Sequence, residues 1–172
     1  RRYVNSTFVA KEPIATPDEF RRVASHLGAV NGKEETDVVG VLACLARADT
    51  LGDGSRVLGP AVASIMPKIM DLIRNEEGED TYSMLLLAEG AIVGAAGVAE
   101  FLASSLVKSD AGYFRRIWTA AVCRVAEGTT AADDVLVGAL CERLQRRTAE
   151  EIQGGGVPEL KAIAAFGARA AR

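Results

Sequence analysis

Residues 84–107, MLLLAEGAIVGAAGVAEFLASSLV, decide how this chain is read. The run is charged only at Glu89 and Glu100, and Gly90, Gly94 and Gly97 are spaced along it. It is about as long as a membrane span, yet two carboxylates near mid-span would each cost about 2.5–3.5 kcal/mol in lipid. At about 100° per residue, Glu89 and Glu100 return to one face of a single helix, and the three glycines form a groove that another backbone can approach closely. The expectation is a central helix around which others pack, outside any membrane. The two carboxylates would sit about 16 Å apart along the axis. That is too far to share a proton or an ion, so they are expected to meet arginines from neighbouring helices.

The flanking sequence is helical in pattern. Thr16-Pro17-Asp18-Glu19 is a capping box with Pro at the first helical position. Phe20, Val23, Ala24 and Leu27 follow as an apolar stripe, and Gly28 closes the helix. A second helix is expected over about 33–48 with Val38, Val41, Leu42 and Leu45 inward. A third covers roughly 60–75, where Pro67 suggests that 60–64 form a separate turn. Later helices are expected from Asp110 to about 126, from Thr130 onward through Leu144, and from Pro158 with Leu160, Ile163 and Phe166 inside. No stretch alternates as a strand does. The fold class is all-α: about seven helices around the central Gly/Ala-rich helix.

Residues 1–15 have no helical period but are too apolar for a free tail. They read as an extended amino-terminal arm, with Tyr3, Val4, Phe8 and Val9 as the residues that grip a groove on a neighbouring subunit. Residues 16–172 form one helical domain with a hinge at Gly154-Gly155-Gly156.

Composition narrows the chemistry. The 172 residues carry one histidine, His26, and lack P-loop, GxSxG, HExxH and EF-hand patterns. No cofactor and no metal site is expected, and an enzyme is disfavoured. Cys44, Cys123 and Cys141 lie in apolar helical contexts and read as buried thiols in a reducing compartment. Met66, Met70 and Met84 read as core filler. The start of the chain has no apolar h-region, so no signal peptide is expected.

The net charge of −3 is unevenly placed: residues 23–100 hold five Lys/Arg against twelve Asp/Glu, and residues 101–172 hold ten against eight. Among the carboxy-terminal arginines, Arg143 and Arg147 fall within roughly 20° of Leu136 on a helical wheel, so they border the apolar face. Arg115, Arg116, Arg143 and Arg147 in a semi-buried groove would suit phosphate, because the guanidinium fork bonds it bidentately. The competing reading pairs them with the acidic middle of the chain.

The opener Thr16-Pro17-Asp18-Glu19-Phe20 is followed by Leu45-Ala46-Arg47-Ala48-Asp49, a Gly/Asp/Ser loop ending at Ser55, a Gly-Pro turn, an Ile/Met helix and a helix started by Thr81. In that order, residues 16–100 resemble the helical core of coat proteins from flexuous filamentous plant viruses and related helical nucleoproteins. The carboxy-terminal half lacks the Phe-Asp signature and aromatic richness of those coats, so no RNA-binding residue is carried over. The resemblance implies a non-enzymatic subunit, located in a virion or host cytoplasm, that polymerises with itself through the arm and encloses single-stranded RNA by backbone contacts. The alternative is a helical scaffold or regulatory interaction module without nucleic acid, in the cytoplasm.

Overall fold

Thr16 and Glu19 start the first helix as their spacing predicts. The Thr16 hydroxyl accepts from the Glu19 amide at 3.2 Å, and the Glu19 carboxylate accepts from the Thr16 amide at 2.7 Å. The computed structural model describes residues 15–30, 33–51, 56–75, 81–108, 112–147 and 157–170, with the backbone alone at 112–116, 169 and 170. The described residues form helices and the short turns and links between them, with no strand. Eight helices are seen there: α1 (Pro17–Ala24), α2 (Lys33–Leu51), α3 (Gly59–Arg74), α4 (Thr81–Ile92), α5 (Val98–Lys108), α6 (Gly112–Gly128), α7 (Asp133–Gln145) and α8 (Pro158–Ala170). The arm at 1–14 and the hinge at 154–156 lie outside the described residues.

The single helix expected over 84–107 is two helices. Gly94 is left-handed at φ +76°, its amide donates to Ala91 O at 3.1 Å, and the Ala95 amide donates to Gly90 O at 2.9 Å. Those two bonds close α4 as a Schellman motif with glycine at the left-handed position. Gly97, also left-handed at φ +74°, accepts from the Phe101 amide and starts α5. The glycines therefore do not line one groove. A Cβ at Gly94 or Gly97 would meet nothing within 4 Å, whereas one at Gly90 would stand 2.2 Å from Met66 Sδ. Gly90 is where α3 closes on α4; the other two are conformational.

α4 is buried over most of its circumference, including Leu86, Leu87 and Ala88, and it touches α2, α3, α5 and α6. Each large apolar side chain buried there contributes about 1.5–3 kcal/mol. α1 lies against α2 and α3, α7 against α5, and α8 against α6 and α7. Arg56, left-handed at φ +46°, donates to Ile92 O and Gly128 O, both at 3.1 Å. One guanidinium thus satisfies carbonyls at the carboxy-terminal ends of α4 and α6, where the helix dipoles favour positive charge.

Other boundaries also moved. α3 is continuous through Pro67, with no separate turn at 60–64. Pro67 lies on its exposed side, where water can take up the carbonyl that the ring leaves free. α7 starts at Asp133 and not Thr130. No helix among the described residues is long and apolar enough to cross a membrane.

Candidate functional site

The most buried charges form two ion-pair clusters. At the centre, Glu89 on α4 is 1% exposed, and Arg124 on α6 donates to it through Nε at 2.7 Å and Nη2 at 3.2 Å. Thr50 on α2 accepts from Arg124 Nη2 at 2.8 Å and donates to Glu89 Oε2 at 2.5 Å. Three helices are therefore joined by one carboxylate with a fork-shaped partner. Glu100, expected on the same face as Glu89, is exposed on α5, because the Gly94–Gly97 break redirects the chain.

The second cluster sits where α7 meets α8. Glu159, fully buried in the first turn of α8, accepts from Arg147 Nη2 at 3.0 and 2.7 Å. Arg143 Nε lies 3.8 Å from the same carboxylate, and Arg143 Nη1 donates to Val107 O at the end of α5. Arg143 thus borders the core as its helical position predicts, whereas Arg147 lies past the end of α7; both turn inward to a glutamate and neither faces an open groove. Their partner comes from the next helix and not from the acidic middle. Arg115 and Arg116 fall at the start of α6, with side chains outside the description. Tyr3, Val4, Phe8 and Val9 are likewise outside it.

Two surface concavities lie among the described residues. One, of about 450 Å³, runs between α2 and α4 and is lined by Asp37, Gly40, Val41, Cys44, Leu45 and Tyr82. Val41, expected inward, is 49% exposed and Tyr82 is 45% exposed. Of the predicted 38/41/42/45 face, Leu42 is buried and Val38 and Leu45 pack against the core, so only Val41 departs; the fully buried side chains of α2 are Val39, Leu42, Ala43 and Ala46. The Tyr82 ring packs beside Gly40 of α2, where an added Cβ would stand 3.5 Å from the ring, an ordinary contact distance. The second, of about 460 Å³, opens between α2, α4, α6 and α8, where Arg47, Cys123, Glu127 and Lys161 meet.

The cysteines correct the sequence reading as well. Cys44 and Cys141 are exposed, and Cys123 is half-buried; burial pushes the Cys123 thiol above its ordinary pKa. No group of His, Cys, Asp and Glu among the described residues is arranged to hold a metal ion. Sequence reasoning missed Glu159 and the α2–α4 face. The signal for the first was a carboxylate one residue after Pro158, in the turn where a helix dipole favours negative charge. No protein-family model, curated protein or solved structure matches the chain.

Proposed function

We propose that the chain is a non-enzymatic helical assembly module whose copies join by laying the apolar arm of one into the α2–α4 groove of the next. One observation carries the reading: an apolar concavity stays open beside the core, with Val41 and Tyr82 about half exposed on it. A concavity with exposed apolar side chains offers a seat for the alternate side chains of an extended segment. The arm carries Tyr3, Val4, Phe8 and Val9 to fill it and Arg1, Arg2 and Lys11 to meet Asp37 at its rim. Fully extended, residues 1–14 reach at most about 46–50 Å, enough to cross to a neighbour. Contact of this head-to-tail kind builds an open polymer when it does not close.

The resemblance to filamentous coats adds single-stranded RNA as a second partner. With Arg143 and Arg147 held on Glu159, that partner would fall to Arg115 and Arg116. The scaffold reading keeps the groove and drops the RNA. Sedimentation velocity of the full 172-residue chain, with its absorbance ratio at 260 and 280 nm, separates them. Assembly predicts concentration-dependent oligomers that dissociate in Val41→Asp and in the quadruple arm variant Tyr3→Ser, Val4→Ser, Phe8→Ser, Val9→Ser. A monomer at all concentrations sinks the assembly reading, and an absorbance ratio typical of protein alone sinks the RNA.

A further inference from the structure

The cavity between α2, α4, α6 and α8 has a chemistry unlike the apolar groove. Its lining is Arg47, Leu85, Thr119, Ala120, Cys123, Arg124, Glu127, Pro158 and Lys161, with a volume of about 460 Å³. That lies in the range of small-molecule sites, about 300–1,000 Å³. Its charges divide unequally. Arg124 is neutralised by its buried pair with Glu89, and its remaining Nη1 lies 3.9 Å from Glu127. Arg47 and Lys161, both exposed, then stand against Glu127 alone, leaving one positive charge in surplus at the mouth. The Glu127 side chain is largely exposed and free to turn into solvent when an anion enters. Leu85 and Pro158, partly buried, supply an apolar wall, and Ala120 and the Cys123 thiol continue it.

We propose that this cavity binds a small organic acid, with its anionic head between Arg47 and Lys161 and its apolar body over Leu85, Ala120 and Pro158. A guanidinium and an ammonium recognise an acid head differently, the first as a planar fork and the second as a compact point charge. Arg124 lines the cavity, and its buried pair with Glu89 fixes α4 against α6, so the part of the wall made by Leu85 and Ala120 is set before the ligand arrives. Such preformed sites lose little entropy on binding. The assignment stands apart from the assembly reading, since it shares no lining residue with the α2–α4 groove.

Three cysteines make the test site-specific, because Cys123 lines this cavity, Cys44 lines the other groove, and Cys141 is exposed in neither. The probe is 8-anilinonaphthalene-1-sulfonate, a sulfonic acid on an aromatic body, titrated by fluorescence into the full chain. The proposal expects one bound probe per chain, slowed alkylation of Cys123 by iodoacetamide, and unchanged alkylation of Cys44 and Cys141. It expects the double variant Arg47→Gln/Lys161→Gln, with an unchanged circular dichroism spectrum, to lose roughly tenfold in affinity. Val41→Asp, on the other groove, should bind as the parent chain does. Absent binding, affinity within twofold in the double variant, or protection of Cys44 in place of Cys123 overturns the proposal.

Discussion

Glu89 is the residue on which the interior turns. A buried carboxylate is tolerated here because Arg124 offers a bidentate partner and Thr50 a third bond. Removing one member leaves the other charge uncompensated, at a cost of about 3–5 kcal/mol, whereas replacing both by apolar groups of similar volume is often neutral. Urea unfolding should therefore show Glu89→Gln and Arg124→Met each strongly destabilised, and Glu89→Leu/Arg124→Met recovering most of the loss. Additive losses in the double variant would show that the pair acts as two independent packing residues. Part of this was legible in the sequence: a glutamate inside an apolar run needs an arginine, and Arg124 supplies it. What sequence spacing could not give was the partner of Arg143 and Arg147. A helical wheel places a side chain on a face, but it does not say which later turn delivers a carboxylate to that face.

At the scale of the element, the decisive event is the break between α4 and α5. Apolar content made 84–107 look continuous, because each of its halves is apolar and a glycine within a helix costs only about 1 kcal/mol. The information was in Gly94 and Gly97, whose left-handed backbones end one helix and begin the next. Gly94→Ala should destabilise the chain by roughly 1–2 kcal/mol, read as a lowered urea midpoint, although its Cβ would meet no neighbour. An unchanged midpoint would mean that the break is set elsewhere. Gly90→Ala should destabilise for a different reason, by driving a methyl into buried Met66. The start of α1 was fully legible, since a capping box is local chemistry. Bonds from the Thr16 backbone and side chain hold the Glu19 carboxyl below its ordinary pKa. A depressed carboxyl contributes stability above its unfolded pKa of about 4.3, and that contribution is lost as pH falls through the folded value. An NMR pH titration of the Thr16 amide should accordingly report a midpoint below the ordinary glutamate range, and Glu19→Gln should abolish the transition. An ordinary midpoint would show that the box does not persist in solution.

For the molecule as a whole, the helical class followed from the sequence, but the exposed surface did not. Periodicity marked Val41 and Leu160 as inward, yet they are 49% and 54% exposed, because an apolar position is buried only if a neighbouring helix arrives over it. At Val41 that shortfall is itself informative: the α2 face that no other described helix covers is the one the arm is proposed to fill. The direct test is the reactivity of Cys44 in that groove, followed by maleimide labelling as protein concentration rises, with exposed Cys141 as the internal standard. Occupancy by a neighbour's arm predicts that Cys44 labelling slows roughly tenfold relative to Cys141 as the chain associates, and that Val41→Asp removes the effect. A Cys44 to Cys141 ratio that stays constant across the whole concentration range would contradict it.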